Sequence, residues 1–105
     1  MKAPRSFTLS ENAKGDLLSI HEYIARENPI AADELLKRFS QKISWIAETR
    51  FPGVPRETYS KGLKALPFGR YAIYFRIISG DHLFISRILH GSRAIGPDEF
   101  ESLDS

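Results

Sequence analysis

The twenty residues YAIYFRIISGDHLFISRILH, from Tyr71 to His90, decide the fold. Tyr71 to Ile78 and His82 to His90 are rich in aromatic and β-branched residues, the composition of strands, and Ser79-Gly80-Asp81 between them is turn chemistry. The pair predicts an antiparallel hairpin. With a two-residue turn, Tyr71, Ile73, Phe75 and Ile77 share a face with Phe84 and Ile88, an apolar side ready to receive helices. The opposite face then carries Tyr74, Arg76 and Ile78 beside Leu83, Ile85, Arg87 and Leu89. That face is too apolar for water and too charged for an ordinary interior, so something else is expected to cover it. A three-residue turn would shift the register by one and undo this partition, because side-chain direction has a period of two.

Working outward, Leu63 to Leu66 is a short strand candidate, and Phe51-Pro52-Gly53 stops whatever precedes it. Upstream, Ala32, Leu35, Leu36, Phe39, Ile43, Ile46 and Ala47 form one apolar stripe at helical spacing. Asn28-Pro29 starts that helix: the asparagine caps, and proline at the first helical position has no N–H to leave unbonded. An earlier helix carries Ala13, Leu17, Ile20 and Ile24 on one face, with Ser10 as N-cap and Glu11 and Asp16 towards the positive end of its dipole. Before it, Arg5 to Leu9 alternates like a short first strand. The order predicts an α+β fold: an N-terminal strand, a two-helix hairpin, then antiparallel strands in one sheet.

At 105 residues the chain has room for one core, and 42% hydrophobic residues supply it. A single domain over 1–105 is expected, with 97–105 a short acidic tail. The absence of cysteine excludes a disulfide framework, a thiol nucleophile and cysteine-rich zinc sites, and is compatible with a reducing cytosol. Residues 1–20 show no signal pattern and no apolar run approaches the ~20 residues of a membrane span, so a soluble, unprocessed cytoplasmic protein without membrane contact is expected. The net charge of +2 conceals an asymmetry. Asp98, Glu99, Glu101 and Asp104 crowd the end without a base, leaving residues 1–97 at +6. Such a body favours an anionic partner.

Most chemistries find no constellation here. His21, His82 and His90 are scattered, with no second histidine at helical spacing, so no metal or other cofactor is expected; His21 reads as helix surface and His82 as turn-flanking. Gly91-Ser92 lacks the spacing of a nucleophile elbow, and the glycines at 53, 62, 69, 80, 91 and 96 stand singly at turn positions. What remains is a cluster of cations around the strands: Lys61, Lys64, Arg70, Arg76, Arg87, His90 and Arg93. Two arginines on one sheet face repel unless an anion lies between them, which points to a binding surface; the plainer reading is that their stems cover apolar neighbours or pair with acids of the same chain. Tyr59, Tyr71 and Tyr74 could stack on nucleobases or simply be core.

Taken together, these motifs resemble the ParE branch of the RelE/ParE toxin superfamily over nearly the whole chain. The likeness rests on Asp16 to Ile24, on Asn28-Pro29 followed by Ala31-Ala32, and above all on the closing strands. Gly69 to Arg76 and Ile85 to Arg93 are similar to the family's Tyr-x-Ile-x-Tyr-x-Arg and Arg-Val-Leu-His-Gly-x-Arg patterns, with Phe75 and Ser92 as small departures. The resemblance implies a β-α-α-β-β-β fold and the toxin of a type II toxin–antitoxin pair associated with plasmid stabilisation. It implies a non-enzymatic inhibitor of DNA gyrase held inactive by a ParD-like antitoxin in a hetero-oligomeric complex, with no sequence-specific DNA binding by this chain. The antitoxin is expected on Tyr74, Arg76, Ile78, Leu83, Ile85, Arg87 and Leu89 and on the outer surface of the hairpin, and the target on Arg70, Arg87, His90 and Arg93.

Two other readings stay open. A RelE-like ribosome-dependent mRNA endonuclease would need a base, an acid and a cation to stabilise the phosphate, roles open to His90, Arg87, Arg93, Lys61 and Lys64. Against it, His90 precedes Gly91 as in the ParE pattern, the acidic tail would repel RNA, and the late tyrosine or histidine of many RelE-like nucleases is missing. The third is a relic that folds and binds antitoxin without toxicity.

Overall fold

Ser10 joins the two halves of the chain. A short strand β1 (Phe7–Leu9) runs into it, and α1 (Glu11–Ala25) starts from it. Its Oγ accepts the Ala13 N–H at 2.9 Å, capping the helix, and donates to the Ser86 carbonyl at 2.7 Å. These relations come from a computed structural model that describes residues 5–91 and 95–100. The second helix, α2 (Pro29–Thr49), begins as the sequence predicts, with the Asn28 side chain accepting the Ala31 N–H at 3.0 Å. It ends one step before Phe51-Pro52-Gly53. Arg50 takes the left-handed conformation (φ 56°) and its guanidinium bonds Asp81 in the distant β-turn.

The remaining strands are β2 (Val54–Pro55), β3 (Lys64–Phe68), β4 (Tyr71–Ile78) and β5 (His82–His90). They form one sheet in the order β1-β5-β4-β3-β2. Neighbours are antiparallel except β1, which lies parallel to β5 with Phe7 opposite Leu83, so the sheet is mixed. The two-residue β2 is an addition to the expected order. Gly53 (φ 81°) makes it possible: a Cβ there would lie 2.6 Å from the Lys64 Cβ and 2.7 Å from the Phe75 ring.

One face of the sheet receives the hairpin. Ala13, Phe39, Ile43 and Ile46 pack on Ile73, Phe75, Leu83, Ile85 and Ile88, all buried. Each large side chain buried there contributes about 1.5–3 kcal/mol before its ordering cost.

The hairpin register corrects the sequence reading. Ser79 to Asp81 form a three-residue 3-10 turn, so Ile78 pairs with His82 and Ile77 with Leu83. Leu83 and Ile85 therefore face the helices, and Phe84 faces away. A one-residue bulge then restores the original parity: Phe75 pairs with Ile85, Tyr74 with Arg87, and Ser86 is the extra residue. Ile88 thus lies under the helices as expected, while Leu83 and Ile85 leave the mixed face to which the sequence assigned them.

Candidate functional site

Strand β1 covers β5 only as far as Ile85. Past the bulge, the exposed edge of β5 needs another partner, and Asp16 of α1 supplies it. The Asp16 carboxylate accepts the Ile88 backbone N–H at 2.9 Å and both Nε and Nη2 of Arg87 at 2.8 Å. Arg87 turns its other amino group to Glu99, 2.8 Å from Oε2. The hydrogen bonds that Arg87 donates to Asp16, then the Asp16 charge and the hydrogen bond to Glu99, hold the guanidinium pKa above its ordinary value despite burial. Arg87 is therefore neutralised within the chain. It locks the first helix and the C-terminal turn to β5, where the sequence reading had placed it against antitoxin and target.

The second sheet face is covered as well, though not by the helices. The loop 56–63 and the segment 95–100 fold over it. Phe100 stacks on Tyr59 with centroids 5.9 Å apart and tilts against Tyr74 at 5.2 Å, above buried Leu63, Ala65 and Leu89. Burial, then the nearby Tyr59, raises the Tyr74 pKa. Arg76 donates to the Lys61 carbonyl and to Ser60 Oγ, fastening the loop. Of the seven residues expected to meet the antitoxin, Leu83 and Ile85 are in the core beneath the hairpin. Tyr74 and Leu89 lie under Phe100, Arg76 and Arg87 hold intramolecular contacts, and Ile78 keeps an apolar surface at 42% exposure. The open cationic sheet face expected from the sequence is closed by the chain's own C-terminal turn. Residues 97–100 of the expected acidic tail are part of that cover; 101–105 lie outside the described residues.

The other expected set divides differently. Gly91 donates its N–H to the Arg70 carbonyl at 2.7 Å, drawing the end of β5 onto the β3–β4 turn and setting Arg70 beside His90. A Cβ on Gly91 would come within 3.2 Å of that carbonyl, so the His-Gly pair serves close backbone approach. Arg87 stands apart in its ion network, and Arg93 lies outside the described residues. His82 has Ser6 Oγ at 2.6 Å and Thr8 Oγ1 at 2.8 Å on its two ring nitrogens, pinning β1. His21 meets Asp33 at 2.8 Å, joining the helices of the hairpin.

Arg70 and His90 open onto a cleft of about 680 Å³ between the helical hairpin and the β3–β4 turn. Its walls include Ile20, Tyr23 and Ile24 of α1, Leu35 and Arg38 of α2, and Phe68 and Tyr71 of the sheet. Arg38 and Phe68 also border a second cleft of about 330 Å³ with Lys42 and Trp45. The sequence reading named Arg70 and His90 but missed the α2 side of this surface. The signal was the run Leu35, Arg38, Lys42 and Trp45 at three- and four-residue steps, a stripe of its own on α2. Two of the candidates for phosphate chemistry stand apart: Lys64 pairs with Phe75 and His90 with Tyr71, four residues apart on β4, or about 13 Å along the strand. Among the described residues no group of three histidines, aspartates or glutamates could hold a metal, and no helix is long and apolar enough to cross a membrane.

No curated protein matches the chain. Among solved structures it is similar to the chromosomal ParDE toxin–antitoxin system from P. aeruginosa, with a TM-score of 0.70 and 19% identity over 82% of this chain and 95% of that one. It is also similar to the toxin–antitoxin complex RelBE2 from Mycobacterium tuberculosis, with a TM-score of 0.60 and 19% identity over 86% and 94% of the two chains. At such identity these likenesses establish the α+β fold. The family model of the ParE toxin of the type II toxin–antitoxin system parDE matches residues 7–95, nearly the whole described chain. The protein belongs to the ParE toxin family.

Proposed function

We propose that this chain inhibits DNA gyrase without chemistry of its own and is neutralised by a ParD-like antitoxin. The carrying observation is the engagement of Arg87. A phosphate-cleaving site built on Arg87 would need that guanidinium free to meet a pentavalent phosphate, whereas here Asp16 and Glu99 take both of its ends. The separation of Lys64 from His90 supports the same reading. The exposed clefts around Arg38 and Arg70 support a role in binding macromolecules.

Purified protein added in parallel to a gyrase supercoiling reaction and to translating ribosomes tests this. Loss of supercoiling with intact mRNA is the expected result. Ribosome-dependent cleavage with unaffected gyrase would reverse it in favour of the endonuclease, and silence in both would leave an antitoxin-binding relic.

A further inference from the structure

Among the described residues, two that are not glycine have a positive φ, Arg50 at 56° and Asp81 at 61°, and they are bonded to each other. Left-handed backbone is costly for an L-residue, and the residue that adopts it after a helix is usually glycine. At the end of α2 the chain places an arginine there instead. That arginine joins a cluster. Arg50 holds one oxygen of the Asp81 carboxylate, and Arg5 holds the other through Nε at 3.2 Å. The Arg5 backbone N–H bonds the Ala47 carbonyl at 3.1 Å, which fixes the start of the chain against the end of α2.

The cluster is incomplete in charge and in hydrogen bonds. Two guanidiniums share one carboxylate, and among the described residues neither meets another acid, so one positive charge is left over. The Arg5 side chain is 10% exposed, and its Nη1 is buried with no hydrogen-bond partner among the described residues. A charged donor buried in that state bears the cost of its lost hydration until an acceptor reaches it. Arg50, at 25% exposure, opens the cluster to solvent on its own side.

The geometry points to an anion site in which Arg5 and Arg50 together bind the carboxylate of a small organic acid through the donors that Asp81 leaves. The ligand class follows from charge, shape and depth. One unit of charge is uncompensated, and the carbonyls ending α2 add partial negative charge nearby, so a monoanion fits better than a phosphate or sulfate dianion. A planar carboxylate matches the guanidinium fork, as Asp81 already does in the same pair. Nη1 lies below the surface, so an acid that reaches it has few atoms, as formate and acetate do. A nucleic-acid backbone phosphate is too bulky to follow. A bound acid would tie the first strand, the end of α2 and the β4–β5 turn together, and folding stability would rise with its concentration.

The test follows the melting temperature of the whole chain in formate and acetate, with chloride and sulfate at matched ionic strength, all at neutral pH. A saturable rise is expected in the two carboxylates alone, half complete at about 10 mM or below. Equilibrium dialysis with radiolabelled acetate should give one bound ion per chain. Arg50→Gly puts the favoured residue at a left-handed cap, so it is expected to fold while binding roughly tenfold or more weakly. Arg5→Gln should show the same loss. Asp81→Asn tolerates the backbone and frees both guanidiniums, so it should bind formate severalfold more tightly and regain in formate the melting temperature it loses. Equal shifts in all four salts, no bound acetate at tens of millimolar, or wild-type affinity in Arg50→Gly and Arg5→Gln overturns the site. Unimproved binding in Asp81→Asn overturns the shared use of the two arginines, and a preference for sulfate overturns the ligand class. None of these readouts involves gyrase or an antitoxin, so they stand or fall apart from the toxin reading.

Discussion

Asp16 and Arg87, 71 residues apart in sequence, meet in a two-pronged ion pair with both N–O distances at 2.8 Å. The aspartate also takes the Ile88 N–H, so one carboxylate serves both as counter-ion and as substitute for a missing strand partner. Both side chains are about seven-eighths buried, at 12% and 13% exposure.

Removing one member of such a pair leaves a buried charge without compensation. Asp16→Ala is expected to cost about 3 kcal/mol of folding stability, read as a shift in the urea midpoint at unchanged slope. Glu99→Ala, which leaves Arg87 its aspartate, should cost less. A loss below about 1 kcal/mol for Asp16→Ala would place the pair with ordinary surface bridges.

Two glycines should respond in opposite directions. Gly53→Ala combines a left-handed backbone with contacts of 2.6 and 2.7 Å at Lys64 and at buried Phe75, and should destabilise by about 1–3 kcal/mol. Gly15 lies inside α1 with open space around its Cβ position, so Gly15→Ala should stabilise by about 0.5–1 kcal/mol. Thermal unfolding of the two variants beside wild type decides both.

The hydrogen bond from Arg50, then that from Arg5, lowers the Asp81 pKa. A carboxyl depressed on folding adds stability above its unfolded pKa, and that stability is lost as pH falls through the folded value. The stability gap between wild type and Asp81→Asn should therefore be present at neutral pH and close progressively below about pH 4. Asparagine tolerates the left-handed conformation of residue 81, so the comparison isolates charge. A gap independent of pH down to strong acid would contradict it.

Phe100→Ala strips the cover from the second sheet face. A loss of about 3 kcal/mol is expected, with increased binding of a hydrophobic dye as Tyr74, Leu63 and Leu89 become exposed. No dye response and an unchanged midpoint would show that residues 95–100 contribute little to that face.

Much of the fold was legible because its signals are local. Ser10 and Asn28-Pro29 start helices through side chains that reach three residues ahead, and β4 and β5 carry strand composition along their whole length. Strand β2 was not, because two residues including a proline carry no period. The register failed at Leu83 and Ile85 for a related reason: the turn has one residue more than assumed, and the bulge at Ser86 cancels it four residues later. Neither leaves a mark in composition. Ile88 was placed under the helices through the cancellation of two features the sequence did not reveal. The site was less legible than the fold. Arg87 stands out as a motif arginine, but nothing near it announces Asp16, and the cover formed by Phe100 depends on a register that was itself misread. The clefts beside Arg38 and Arg70 arise from the meeting of α2 with the β3–β4 turn, a tertiary event.

The parallel pairing of β1 with β5 sets a schedule for synthesis. Phe7 has to wait for Leu83, so a ribosome must deliver about four-fifths of the polypeptide before the first strand finds its place. Until then the hairpin has only half a sheet to rest on. A nascent chain interrupted before the final strand therefore lacks the only partner of β1 and the anchor of Asp16 at once.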